Sequence, residues 1–168
     1  MVGSYQYTVV EVSIINSDAI VRLASLADAE ELSRLNQEFN GGVKRLPEKI
    51  IECLKCNPNE LVVVAEITGK IVGFGCAQSF YSFCYEEPLG EITELYVEEA
   101  ARRKGIATAI ISCLEENLRE RGVKSMKVLT GKTNNAAIRT YEHCNYVKDD
   151  EQLLKKRLGD YAACDDEF

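Results

Sequence analysis

A chain of 168 residues with a net charge of −7, 46% apolar and 28% charged, is long enough for one hydrophobic core and ordinary for a globular domain. The acidic balance argues against a sequence-independent DNA or RNA binder, which needs a broad basic face, and suits solubility or a cationic substrate. Met1-Val2-Gly3-Ser4 has neither the basic start nor the apolar run of a secretory signal, and no stretch approaches the length of a membrane span, so a cytoplasmic protein without membrane contact is expected.

In chain order, Tyr5 to Ile15 is rich in β-branched and aromatic residues and predicts an extra N-terminal strand within residues 1–19, broken by Asn16-Ser17-Asp18. Ile20 to Ala24 reads as a short strand. Ser25 then caps a helix with Ala29, Leu32, Leu35 and Phe39 at helical spacing, ended by Gly41-Gly42. Pro47 opens a second helix that runs to about Cys56. Leu61 to Ile67 and Lys70 to Gln78 are strands joined by the hairpin signal Thr68-Gly69. After the turn Glu86 to Gly90, Glu91 to Val97 is the next strand. Gly105 to Arg121 carries Ile106, Ile110, Leu114 and Leu118 on one helix face and closes at Gly122. Ser125 to Thr130 predicts a strand, Asn134 to Cys144 a helix, and Tyr146 to Leu158 two short strands around Asp149-Asp150; residues 159–168 form an acidic, unpatterned tail. This order describes one mixed α/β (α+β) domain over residues 1–168.

The seven cysteines have no regular spacing, which fits reduced thiols, most of them small core residues. Cys53 and Cys56 form a lone C-x-x-C, and with His143 the single histidine no metal site is expected.

Chemistry concentrates where Arg102, Arg103 and Lys104 stand together in an otherwise acidic chain, directly after a strand and directly before a helix. A helix N-terminus offers unpaired N–H groups and the positive end of its dipole, and Gly105 lets an anion approach the backbone. The amides of Gly105, Ile106, Ala107 and Thr108 are therefore expected to face a phosphate. Neither G-x-x-x-x-G-K-[ST] nor G-x-G-x-x-G occurs, which removes the main support for nucleotide hydrolysis and dinucleotide binding.

In this segment the sequence resembles the GNAT superfamily of N-acetyltransferases, whose pyrophosphate loop [QR]-x-x-G-x-[GA] is matched by Arg102, Gly105 and Ala107. The family places that loop after a strand of the type Glu91-Ile-Thr-Glu-Leu-Tyr-Val97 and expects N-x-x-A-x-x-x-Y on the next helix, matched by Asn134, Ala137 and Tyr141. Ile20 to Ala29 is similar to the family's opening strand and helix, so the resemblance covers about Ile20 to Leu158. One departure is Asn145-Tyr146 where the family has Gly-Phe; Asn is the next-best residue for a left-handed helix end.

The resemblance implies a GNAT-like fold, with a mixed, mostly antiparallel sheet of six to seven strands and about four helices on both faces. It also implies acetyl-CoA as donor, with Leu95, Tyr96 and Val97 offering backbone groups to its pantetheine arm. The Val97 amide would act as oxyanion donor, and Asn134 would bond the same arm. Acetyl transfer to an amine needs a base, because an alkylamine of pKa about 10.4 is almost wholly protonated at neutral pH.

Glu91 and Glu94 are the carboxylates in this strand, and strict alternation puts them on opposite faces, while the resemblance implies a β-bulge in this strand that would change the count beyond it. Position in the motif favours Glu91 as base and Glu94 as a substrate-side carboxylate, although either reads equally well as a salt-bridged or edge-facing acid. Tyr141 is the candidate proton donor to the leaving thiolate, or else a core tyrosine. The acidic residues Glu86, Glu87, Glu91 and Glu94 point to a small cationic acceptor, polyamine- or aminoglycoside-like. Protein lysine or N-terminal amines and a non-catalytic acyl-CoA-binding module are the alternatives, and a homodimer is left open.

Overall fold

The computed structural model describes residues 13–16, 19–156 and 158. They fall into two compact units, one ending at Leu129 and the other beginning at Thr130.

The first unit holds a sheet of six strands in sequential order: β1 (Ser13–Asn16), β2 (Ala19–Leu23), β3 (Glu60–Ile67), β4 (Lys70–Phe80), β5 (Leu89–Val97) and β6 (Ser125–Val128). Neighbours are antiparallel except β5 and β6, which run parallel. The expected mixed, mostly antiparallel sheet is thus present. Of the N-terminal strand read over Tyr5 to Ile15, Ser13 onward pairs in the sheet, and the rest lies outside the described residues, as does the acidic tail from 159.

Local sequence explains the turns. Thr68 (φ 47°) and Gly69 (φ 84°) both adopt left-handed backbone, the twist-matched two-residue connection between β3 and β4. Helix α1 (Ala29–Asn40) follows a short 3-10 turn, where the Ser25 N–H and hydroxyl both donate to Asp28 Oδ2 at 2.6 and 3.0 Å. Arg22 reaches the same carboxylate at 2.7 Å and Glu66 at 3.0 Å, tying β2 and β3 to this turn. Burial raises the Asp28 carboxyl pKa, but the hydrogen bonds from Arg22 and Ser25 outweigh it and hold the group below the ordinary range. Helix α2 (Pro47–Cys56) starts at the proline, whose fixed φ suits a first turn.

Helices α1 and α2 cover one sheet face: Leu32 and Leu35 pack with Val64, Ile71 and Phe74, and Ile50 and Leu54 join that cluster. Helix α3 (Ile106–Glu120) covers the other face, its Ile110, Ile111, Leu114 and Leu118 fully buried. It sits so close to β4 that a methyl group on Gly75 would collide with Ile110 Cγ2. Gly122 (φ 85°) ends α3, with the Val123 and Gly122 N–H groups returning to the carbonyls of Leu118 and Arg119 at 3.0 Å.

The second unit contains α4 (Asn135–His143). Its end repeats this motif without glycine: Asn145 takes φ 67°, and the N–H groups of Tyr146 and Asn145 bond to the carbonyls of Tyr141 and Glu142 at 3.0 Å.

Two expectations fail. Residues 146–156 form no strand: the run Lys148 to Glu151 is exposed, and the Asp149 carboxylate accepts from the Asp150 N–H at 2.7 Å, occupying a donor that a ladder would need. The cysteines are not mostly core: among the described ones Cys113 is buried and the partly buried Cys76 packs against the core cluster, while Cys56 at the last residue of α2 and Cys84 in the 81–88 loop are exposed.

Candidate active site

The site begins with an irregularity in β5. Glu91 and Ile92 pair with Gln78 and Ala77 of β4, but the next residue, Cys76, pairs with Glu94, so Thr93 has no opposite number. This bulge inserts one residue into the count and restores Glu94 to the face of Glu91, because Cys76 and Gln78 are two apart on β4. Strict alternation, which separates the two carboxylates, is therefore corrected: they share a face. The buried Ile92 keeps to the opposite face with Ala77.

Pairing of β3 with β4 extends the row. Glu60 lies opposite Gln78 and Val62 opposite Cys76, so Glu60 joins Glu91 and Glu94 on the sheet face covered by α1 and α2. Sequence reading missed Glu60. The Thr68-Gly69 turn provides a register to count from, but that count slips by one at an irregularity between Ala65 and Glu66.

The two β5 carboxylates differ in environment. Glu94 is half-buried; desolvation, then the nearby Glu60 charge, push its pKa above the ordinary carboxylate range. Glu91 lies 3.6 Å from Lys127 Nζ on β6, the salt-bridged arrangement weighed as its plain structural role. Between the two rows, burial raises the Cys76 thiol strongly, helped by Glu60 and Glu94, so it stays protonated.

The bulge also marks where β6 leaves. Parallel pairing runs from Leu89↔Ser125 to Ile92↔Val128 and stops, while β5 continues to Val97 against β4 alone. Among the described residues no strand covers the outer edge of Thr93 to Val97, and outward backbone groups there, the Val97 carbonyl held by Arg102 aside, can bond a linear, amide-containing ligand as a further strand would.

Just beyond Val97 a short 3-10 turn, residues 99–101, leads to the basic loop. Arg102 Nε donates to the Val97 carbonyl at 2.9 Å, fixing the loop to the end of β5. Arg103 (φ 62°) and Gly105 (φ 78°) are left-handed, and Gly105 is the residue from which α3 departs. Arg102, Arg103 and Lys104 are exposed, and among the described residues none enters an ion pair with a carboxylate. Ile106 is buried, so it can contribute only its backbone; Ala107 and Thr108 are partly buried in the first turn. The structure therefore brings together Leu95, Tyr96, Val97 and the stretch Arg102 to Thr108 at one end of β5.

Tyr96 projects on the carboxylate face, its ring 5.5 Å from Phe39 and 6.1 Å from Phe74, with its hydroxyl 3.3 Å from Glu38 Oε2. Asn134, Ala137 and Tyr141 belong to the second unit. Asn134 caps α4 by accepting the Ala137 N–H at 3.1 Å through Oδ1, and Tyr141 is buried, its ring 5.7 Å from that of Tyr146. Among the described residues no group of three histidine, cysteine or acidic side chains is placed to hold a metal, and no helix is long and apolar enough to cross a membrane.

A cavity of about 110 Å³ lies between α1, α2 and the sheet, lined among others by Leu32, Asn36, Ile50, Glu60, Phe74 and Cys76. It opens on the face that carries the carboxylates.

Comparison with known proteins agrees with this geometry. Over 117 residues the chain is 37% identical to an uncharacterised N-acetyltransferase of Chlorobaculum tepidum, covering 68% of this chain and 69% of that protein. Over 112 residues it is 35% identical to an acetyltransferase of Yersinia enterocolitica, covering 67% and 75%. In fold it is similar to an aminoglycoside acetyltransferase from an uncultured soil metagenomic sample (TM-score 0.76, 22% identity, 88% of this chain and 100% of that one). It is also similar to a ribosomal-protein-alanine N-acetyltransferase of Brucella melitensis biovar Abortus 2308 (TM-score 0.71, 23% identity, 84% and 99%). Residues 27–146 match the acetyltransferase (GNAT) family throughout the segment that builds the site. The chain belongs to that family and is an acyltransferase.

Proposed function

We propose that this acyltransferase moves the acetyl group of acetyl-CoA to a primary amine of a small cationic molecule. The observation that carries the reading is the Thr93 bulge, which coincides with both the end of β6 pairing and the shared face of Glu91 and Glu94. The pyrophosphate sits against the α3 N-terminus and the cations Arg102, Arg103 and Lys104, where backbone N–H groups and side-chain charge act together. The pantetheine arm lies along the open edge of Leu95, Tyr96 and Val97.

Chemistry then follows the charges. Glu94, whose raised pKa brings it nearer neutrality, takes a proton from the incoming ammonium. This reverses the preference for Glu91 that position in the motif suggests, because Glu91 is held toward Lys127. The neutral amine nitrogen attacks the thioester carbonyl carbon, and the Val97 N–H receives the developing oxyanion. The new C–N bond stays, the nitrogen gives up its remaining extra proton to water, the C–S bond breaks, and the CoA thiolate leaves with a proton from water. Glu60 and Glu91 hold positive charge on the acceptor; a polyamine or an aminoglycoside, the substrate class of the soil relative, would supply it.

Thiol release from acetyl-CoA is the test, run over a panel of diamines, aminoglycosides and lysine-containing peptides. Amine-dependent release with at least one small polycation is expected. Release with peptides alone moves the acceptor to protein amines, and CoA binding without release on any amine makes the chain a non-catalytic module.

A further inference from the structure

The cavity beside the carboxylates has a second charged wall. Arg45 closes the loop between α1 and α2, and its backbone carbonyl accepts a hydrogen bond from the hydroxyl of fully buried Ser33, which fixes its position against α1. Arg45 is exposed and is one of the residues that line the cavity, and its guanidinium donates to Cys53 Sγ at 3.0 Å, a neutral and weak acceptor. The adjacent Lys44 is ion-paired with Glu30 at 3.2 Å, whereas Arg45 enters no ion pair among the described residues. In an acidic protein, an exposed arginine at the edge of a cavity and without a carboxylate partner among the described residues has its charge and its fork of donors ready for an anion. Asn36 lines the same wall and accepts from Asn40 through Oδ1, which leaves its amide N–H groups to a guest.

The opposite wall carries Glu60, and across β4 stands Glu94; between the two walls the lining is Leu32, Ile50, Leu54 and Phe74. The cavity of about 110 Å³ shares Leu54, Glu60 and Val62 with a neighbouring one of about 410 Å³, and its apolar lining between charged walls suits an unbranched methylene chain.

We infer that the acceptor is an α,ω-diamino carboxylate, its carboxylate on Arg45, its methylene chain along the apolar lining and its ω-amine at Glu94. This rests on the acyl-transfer reading and narrows its polycationic acceptor class to one that also carries an anion.

Three probes isolate the carboxylate: L-lysine, L-lysinamide and 1,5-diaminopentane, each with acetyl-CoA and the full chain. Lysine is expected to exceed the other two by about tenfold in kcat/KM, through KM, and fragmentation of the product should locate the acetyl group on the ω-nitrogen. Arg45→Ala, which leaves the Ser33 bond to the backbone intact, should lower the lysine-to-diaminopentane ratio by about tenfold, with Arg45→Lys intermediate. Lysine no better than its decarboxylated analogue, or a ratio unchanged in Arg45→Ala, overturns the Arg45 assignment and leaves acyl transfer standing. If no probe releases thiol, calorimetric titration of lysine into the CoA-saturated protein separates the two claims. Arg45-dependent binding then upholds the anion subsite and overturns lysine as the acceptor; absence of binding overturns the subsite, and acyl transfer itself is decided by the wider amine panel.

Discussion

Replacing Glu94 with Gln lowers kcat/KM at neutral pH by about 10²–10⁴-fold, the range for loss of a positioned general base. The amide keeps the shape of the side chain, so CoA affinity measured by calorimetry stays at the wild-type value. The pH profile separates a base from a mere contact. Because burial and Glu60 raise the Glu94 pKa, the ionised base is lost as pH falls through that raised value, and wild-type kcat/KM falls with it. The variant lacks this acidic limb. Stability has the opposite sign: a carboxyl with a raised folded pKa contributes stability that is fully present below its unfolded pKa and lost as pH rises through the folded one. Glu94→Gln is therefore no less stable than wild type at neutral pH, and a thermal melt checks that its lost activity is not lost fold. Glu91→Gln, which removes a group 3.6 Å from Lys127, has the smaller effect on turnover. A Glu94→Gln enzyme with the wild-type rate and pH profile would remove Glu94 as base.

Deleting Thr93 has the other large effect. Thr93 is exposed and has no partner on β4, so its removal turns the Ala77↔Ile92 and Cys76↔Glu94 pairs into consecutive rungs of a regular ladder. Ile92 stays in the core, and Glu91 and Glu94 stay on one face. What disappears is the local bend at which β6 parts from β5, so pairing can continue past Ile92↔Val128 into the edge proposed for the pantetheine arm. The variant is expected to fold, to melt near the wild-type temperature, and to lose CoA binding by about tenfold or more together with nearly all turnover. Retained CoA affinity would show that the open edge does not bind the arm.

Elements with strong local chemistry are legible in the amino-acid sequence itself. Pro47, Thr68-Gly69, Gly122 and Asn145 act through backbone conformations that few residues adopt, and each stands where a helix begins, a hairpin turns or a helix ends. The place of the Arg102 to Thr108 loop, after a strand and at the start of a helix, is equally readable. The faces of Glu91 and Glu94 are not readable from alternation, since a bulge is a matter of two residues opposing one and Thr93 carries no compositional mark of it; the family resemblance alone points to a bulge in this strand. Glu60 is hidden for the same reason, one register slip away from its partners. Residues 146–156 mislead because Tyr146, Val147, Leu153 and Leu154 favour strands, while Asp149 bonds its own backbone instead. Arg45 is one exposed arginine among many in sequence; only the cavity beside it distinguishes it.

Calorimetric titration of CoA into the wild-type chain and into Arg103→Glu/Lys104→Glu tests most directly where the donor sits. Both side chains are exposed, so the double variant keeps the fold. Stoichiometric binding to the wild type is expected, weakened about tenfold or more by charge reversal and weakened further by salt. No binding to the wild type, or equal binding to both proteins, would contradict a pyrophosphate site at the start of α3.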